Sequence, residues 1–294
     1  NALIGIAKRL VSVLDNPDGS AFVSYEFNLQ NYGDVPLSAV LISDPLDVTF
    51  PNCDITITSI TSDDYIINDQ YGKDGDWQIL SGVDTLRPND KGAVLLTVLI
   101  DNCDSYATPF INNATVSGQS PSGVTVTDES NPGADPDDNG DGNPNNDTGG
   151  TEVVLEENPQ ITVDKRLLSV VRNDDGTFVI DFDIRLINTG NTDILMVQAV
   201  DNLSNVFPTS CTLAVQGESE EFDYNEDFGI GGDWNLLTGT DILETGAAGS
   251  VLLTVTLSDC AELGEFENVV VVSGVGARGT PVGAEDSADG ILDI

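Results

Sequence analysis

The chain has 294 residues, 39% of them apolar, and a net charge of −40 from 50 acidic and 10 basic side chains. This length exceeds one ordinary domain and predicts two, the apolar share suffices for packed cores, and the charge repels nucleic-acid phosphates and anionic lipid while drawing cations inward. Histidine is absent, which removes the commonest general base, the Ser-His and Cys-His nucleophile systems and the usual zinc and iron ligands, and no apolar run is long enough to cross a membrane.

The N-terminus, NALIGIAKRL, lacks a basic segment followed by an apolar run and a small-residue cleavage site, so any signal peptide is expected to have been removed already. Alternating or β-branched segments of strand length follow at Ile4 to Leu14, Ala21 to Gln30, Leu37 to Ser43, Ile55 to Ile60, Gly92 to Ile100, Ile111 to Ser117 and Val124 to Thr127. Asn-Pro-Asp-Gly, Asn-Tyr-Gly-Asp and Arg-Pro-Asn-Asp supply turns between them. No segment shows sustained helical periodicity.

From Asp128 to Glu157 the composition changes: ten carboxylates, no Lys or Arg, and many Gly, Pro and Asn. Asp135, Asp137, Asn139, Asp141, Asn143, Asn145 and Asp147 place a side-chain oxygen at every second position, and Gly140 and Gly142 let the backbone curl around a centre. A hard cation such as Ca²⁺ collects six to eight oxygens from such a loop. Counting from Asp137 puts Thr148 where an EF-hand has its twelfth-position Glu, so the segment more closely resembles the Asp/Asn/Gly calcium loops of thrombospondin-type and dockerin-type repeats. The competing reading of such a run of like charge is a solvated linker.

The second half repeats the first. Lys8-Arg9-Leu10 matches Lys165-Arg166-Leu167 at an offset of 157, and the offset holds for Gly75-Asp76-Trp77 against Gly232-Asp233-Trp234 and for Val94 to Val98 against Val251 to Val255. Ser117-Gly118 matches Ser273-Gly274 one residue out of step. Strands recur at Thr177 to Leu186 and Leu195 to Asp201, around the turn Asn188 to Asn191. About seven short strands in about 130 residues predict an all-β fold, two tandem immunoglobulin-like antiparallel β-sandwiches, with repeat 1 at 1–127, the acidic calcium-loop linker at 128–158 and repeat 2 at 159–294.

The segment KRLVSVLDNPDGSAFVSYEFNLQNYGDVPLSAVLISDPL, its second copy KRLLSVVRNDDGTFVIDFDIRLINTGNTDILMVQAVDNL, and the later NNATVSGQSPSGVTVTDES resemble the tandem-repeat domain of large secreted bacterial proteins, common in Bacteroidota surface adhesins. The resemblance covers nearly the whole chain and implies an extracellular or cell-surface stalk, adhesin or fibre role. It supplies no catalytic residues.

The four cysteines stand at matching places in the two copies, so Cys53 is expected to pair with Cys103 and Cys211 with Cys260, which places the protein in an oxidising compartment. Trp77 and Trp234 each follow Gly-Asp; they read as core anchors in preference to sugar-stacking platforms. Lys8 and Lys165 lie in the first strand of each copy, and Asn113 and Asn268 near a late one. That placement resembles the intramolecular isopeptide bonds of bacterial pilin sandwiches, in which a Lys amine condenses with an Asn side chain beside an acid. The alternative is that Lys8-Arg9 and Lys165-Arg166 pair with cross-strand carboxylates. Asn113, Asn146 and Asn202 each open a glycosylation triplet.

The chain ends in Gly290-Ile291-Leu292-Asp293-Ile294, an apolar stub comparable to Val153-Val154-Leu155 before the second copy. A join of Ile294 to the Asn1 of another molecule would imitate the internal join, so molecules are expected to associate head to tail, through a terminal strand completing a neighbour's sheet; the rival is two repeats of a longer polypeptide. The function expected is a non-catalytic structural module stiffened by calcium. A calcium-dependent carbohydrate-binding or adhesion module, retained on a glycan or surface ligand, is the alternative. A glycosidase built on two carboxylates is the remote one: without histidine only carboxylate chemistry remains, among 50 acids no pair stands out, and no Ser-x-x-Lys dyad occurs either.

Overall fold

In the computed structural model, which describes residues 1–103, 109–261 and 264–292, the chain forms two compact units: Asn1–Asn16 with Ser20–Glu156, and Pro17–Gly19 with Glu157–Ile294. Unit 1 contains β1 (Ile4–Asp15), β2 (Ala21–Asn31), β3 (Leu37–Ser43), β4 (Asp54–Thr61), β5 (Thr85–Leu86), β6 (Lys91–Asp101), β7 (Phe110–Asn112), β8 (Thr115–Gln119), β9 (Thr125–Glu129), β10 (Asn131–Pro132) and β11 (Thr151–Val153). One sheet runs β10-β1-β2-β6-β4 and the other β5-β3-β8-β9, with β11 paired to β7. Unit 2 contains β12 (Ile161–Arg172), β13 (Phe178–Asn188), β14 (Ile194–Val200), β15 (Thr212–Glu218), β16 (Asp241–Leu243), β17 (Ala248–Ser258), β18 (Glu265–Gly276) and β19 (Pro281–Ile291). Its sheets run β12-β13-β17-β15 and β16-β14-β18-β19.

That order is the immunoglobulin arrangement. First, second, fifth and fourth long strands make one sheet and the third, sixth and seventh the other, with one short strand added at the third. The period-2 pattern decides which faces meet. In β2, Ala21, Val23, Tyr25, Phe27 and Leu29 are buried while their neighbours are half-buried, and Val94, Leu96, Val98 and Ile100 of β6 face them. In unit 2, Phe178, Ile180, Phe182, Ile184 and Leu186 of β13 oppose Val251, Leu253, Val255 and Leu257 of β17. The two copies are all-β apart from single turns of helix, such as Leu46–Thr49.

Both copies carry the same irregularities. β1 and β12 each bulge against the next strand, between Leu10 and Ser12 and between Leu167 and Ser169. β3 and β14 also lose register, between Ser38 and Leu41 and between Leu195 and Gln198, where Ala39 (φ 51°) and Met196 (φ 55°) take left-handed backbone. The inserted residue shifts the inward parity of the strand. Leu37 faces inward, and beyond the bulge so do Val40, Ile42 and then Asp44; in the second copy the sequence is Ile194, Val197, Ala199 and Asp201.

The acidic segment differs from its expected place. The 128–158 stretch does not stand between two domains, because its residues up to Glu156 belong to unit 1. Asp128 and Glu129 end β9, and β11 returns to pair Thr151 with Asn112 and Val153 with Phe110. Val153 and Leu155 are buried in the unit 1 core. In unit 2 the single strand β19 makes this closure, pairing Ala288 with Asn268. The physical reason is that a few apolar residues at the end of the acidic run complete a sheet that would otherwise lie open. The segment is therefore an insertion into the last strand of unit 1, and the units part between 156 and 157.

Candidate functional site

At the centre of each core lies a charged side chain that the sheets cannot solvate. The Lys8 ammonium is fully buried and donates to Asp44 Oδ1 at 2.5 Å; Lys165 Nζ donates to Asp201 Oδ2 at 2.6 Å. β1 and β12 supply the lysines, and the bulged β3 and β14 deliver the acids just past their ends. The main-chain N–H of each acid donates to the carbonyl of the tryptophan at the matching position, Asp44 to Trp77 and Asp201 to Trp234, both at 3.0 Å. Aromatic rings face the amines: Tyr25 at 4.4 Å and Phe27 at 5.0 Å from Lys8 Nζ, and Phe182 at 5.1 Å from Lys165 Nζ.

A buried asparagine completes each cluster. Asn268 Nδ2 donates to Asp201 Oδ2 at 3.4 Å, the same oxygen that receives Lys165. Asn112 faces Asp44 and the Tyr25 hydroxyl, and its Oδ1 accepts from the Thr49 hydroxyl at 2.9 Å. Both asparagines have no exposed surface. Several of the polar atoms have no hydrogen-bond partner: Asn112 Nδ2 and the Tyr25 hydroxyl in unit 1, Asp201 Oδ1 and Asn268 Oδ1 in unit 2.

Burial acts on both members of each ion pair. It pulls the Lys8 amine down to about 8 against the opposing attraction of Asp44, and lowers Lys165 likewise. It raises Asp44 and Asp201, against the pull of their lysines. All four shifts favour the neutral amine beside the neutral acid, which are the protonation states that nucleophilic and proton-transfer chemistry require.

The pairing of lysine with carboxylate is as one sequence alternative had it, but the partners lie across the sandwich. The exposed Arg9 makes the cross-strand pair, donating to Glu26. Asn268 is where the sequence placed it. Asn113 is not: it is exposed, and the adjacent Asn112 occupies the core, because in β7 the alternation turns Phe110 and Asn112 inward. Asp44 and Asp201 were not singled out from sequence. The signal was present, since the two stand at the same 157-residue offset as the lysines, but strict alternation from Leu37 or Ile194 turns them outward.

The acidic loop brings together part of its expected ligand set. Asp137 accepts the N–H groups of Asp141 and Gly142, Asp141 accepts Asn143 N–H and Asn146 Nδ2, and Asn139 Nδ2 reaches Asp147 at 2.8 Å. Gly140 (φ 71°) and Gly142 (φ 85°) make the turn in left-handed backbone. Asp135 Oδ1 accepts the Asp137 N–H and the Tyr32 hydroxyl, and Asn145 Nδ2 donates to the Thr127 carbonyl. Asn143 contributes its N–H. No three acidic, histidine or cysteine side chains converge on one point among the described residues. Of the expected ligands, the loop's hydrogen bonds link Asp137, Asn139, Asp141 and Asp147, whose side-chain oxygens are engaged by the loop's own amides.

Both disulfides form as expected, Cys53–Cys103 and Cys211–Cys260. Trp77 and Trp234 pack on the cores, edge-on to Tyr71 and Phe228, as anchors do. Of the glycosylation triplets, Asn113 and Asn146 are exposed and Asn202 half-buried. No helix among the described residues is long and apolar enough to cross a membrane. The terminal residues Asp293 and Ile294 of the proposed head-to-tail join lie outside the described residues.

No family model matches this chain, and no curated protein sequence matches it. Among solved structures, the C-terminal domain of the Streptococcus agalactiae AgI/II polypeptide BspA is similar over 97% of this chain and 100% of its own, at 10% identity and a TM-score of 0.28. The CupB6 tip adhesin from Pseudomonas aeruginosa is similar over 98% and 97%, at 10% identity and 0.39. The major pilin subunit BcpA of Bacillus cereus is similar over 99% of this chain and 66% of its own, at 10% identity and 0.33. Similarity this remote carries no argument about what the chain does.

Proposed function

We propose that the chain is a non-catalytic structural module of an extracellular fibre, stalk or adhesin. The observation that carries the proposal is the duplication of two kinds of tie at the same place in each sandwich. One is a disulfide joining an edge strand to its neighbour, and the other is a buried ion pair joining the first strand to the opposite sheet. The disulfide holds the edge strand to its own sheet and the ion pair holds one sheet to the other, and ties between strands distant in sequence resist their separation, which is the task of a load-bearing module. Disulfides persist where the surroundings are oxidising, which supports a location outside the cytoplasm.

The acidic loop is the proposed calcium element of this module. Ca²⁺ would take the oxygens of Asp137, Asn139, Asp141 and Asp147 in place of the amides that engage them, and so stiffen the insertion that closes unit 1. Head-to-tail association is the proposed mode of assembly. Immunogold electron microscopy on the cells that make the protein tests the first reading: label along surface fibres or the envelope is expected, and label confined to the cytoplasm overturns it. Thermal melting of the purified chain with Ca²⁺ and with a chelator tests the second, with a higher transition expected in Ca²⁺. An unchanged transition removes calcium from the proposal and leaves the fibre role standing.

A further inference from the structure

We propose that each unit cross-links itself through an amide bond, from Lys8 Nζ to Asn112 Cγ in unit 1 and from Lys165 Nζ to Asn268 Cγ in unit 2, with Asp44 and Asp201 carrying the proton. This goes beyond the structural role above and does not depend on it.

The geometry supplies the reactants in contact with a shared carboxylate. Lys165 Nζ and Asn268 Nδ2 meet the same oxygen of Asp201, at 2.6 and 3.4 Å. The two nitrogens are therefore no more than about 6 Å apart, within a rotamer change of attack. In unit 1 Lys8 Nζ meets Asp44 Oδ1 at 2.5 Å and the Asn112 side chain faces the same carboxyl group.

An inert cluster would be a poor use of the driest place in a sandwich. A buried ion pair gives little net stability over apolar residues of the same volume, and each unpartnered buried polar atom lowers stability further. Nevertheless the lysine, acid and asparagine occur in both copies, whereas the polar atoms around them do not: Tyr25, Thr49 and Tyr71 of unit 1 are Phe182, Val206 and Phe228 in unit 2. The reaction also accounts for an orphan, because the partnerless Asn112 Nδ2 is the leaving group.

The step balances without an oxidant, metal or cofactor. The ammonium passes one proton to the carboxylate beside it, leaving a neutral amine and a carboxylic acid. The Nζ lone pair attacks Cγ, and the acid supplies its proton to the asparagine oxygen as negative charge develops there. The Nζ–Cγ bond forms and the Cγ–Nδ2 bond breaks. A proton from Nζ leaves on Nδ2 as ammonia, and the carboxyl group ends protonated. In unit 1 the Thr49 hydroxyl already donates to the oxygen that gains charge.

Intact mass spectrometry of the full chain, with both disulfides reduced, tests the proposal directly. Loss of two molecules of ammonia, about 34 Da below the mass the sequence requires, is expected. Proteolysis should then yield one joined peptide pair holding Lys8 and Asn112 and another holding Lys165 and Asn268. Asp44→Asn and Asp201→Asn should each restore about 17 Da and release only the pair of their own unit. A mass equal to that of the sequence overturns the proposal, and needs no variant to fold. A deficit carried on single peptides, or a Lys–Asp link formed by loss of water, overturns it as well.

Discussion

Asp128 is a carboxyl group placed where its charge is least welcome. It is buried, its Oδ2 accepts the Ile6 N–H at 2.8 Å and its Oδ1 has no partner. Desolvation pushes it up to about 6, helped by the nearby charges of Asp147 and Glu129 and opposed by the hydrogen bond from Ile6. An unfolded Asp titrates near 3.9, roughly two units lower. Between these values the folded chain holds a proton that the unfolded chain has lost. This contribution to stability is therefore complete below about pH 4 and disappears as pH rises through about 6. Asp128→Asn keeps an oxygen for Ile6 and removes the charge. The variant should exceed the parent in stability by on the order of 2 kcal/mol at about pH 8 and match it near pH 4. Urea midpoints at the two pH values measure this, and an equal gap at both would remove burial of the charge as the cause.

At the scale of elements, the bulge in the third strand of each sandwich links packing to chemistry. Met196 holds φ 55° on an exposed surface, and a residue with a Cβ pays about 1–2 kcal/mol for that region. Glycine has no such penalty but loses about 0.5–1 kcal/mol more backbone entropy on folding. Met196→Gly should accordingly be stabilising by roughly 0.5 kcal/mol, and Met196→Val, with a branch at Cβ, destabilising by about 1 kcal/mol. Denaturation of both variants checks the order Gly, Met, Val; a valine that stabilises would mean that the bulge is not held in this conformation.

The same bulge separates what could be read from sequence from what could not. Alternation in β2 and β13 is unbroken, so the strands, their faces and the repeat follow from the pattern, and the cysteine pairs follow from their matching positions. Asp44 and Asp201 lie beyond a residue that resets the parity, and nothing in Ala39 or Met196 announces left-handed backbone. The acidic segment misled for a related reason. Its composition argues against a core, yet Val153 and Leu155 at its end fill one. Composition averages over a stretch, whereas closure of a sheet needs only a few residues.

For the molecule as a whole, charge is the term that neither sandwich can neutralise internally. Fifty acidic side chains face ten basic ones, and two of the ten, Lys8 and Lys165, are enclosed in the cores. Compact folding gathers the remaining carboxylates, so repulsion among them opposes the folded state. The range of that repulsion is set by salt: the Debye length falls from about 30 Å at 0.01 M to about 8 Å at 0.15 M. The melting temperature should therefore rise with NaCl, by about 3–6 °C between roughly 0.01 and 0.5 M, if screening recovers about 1 kcal/mol per unit. KCl should act equally, because screening depends on ionic strength and not on the ion. Any additional rise in Ca²⁺ at matched ionic strength would belong to the loop of Asp137, Asn139, Asp141 and Asp147, and charge-reversing Asp137→Lys should abolish that increment while keeping the NaCl response. A melting temperature that stays level or falls with NaCl would show that the acidic surface is not what limits stability.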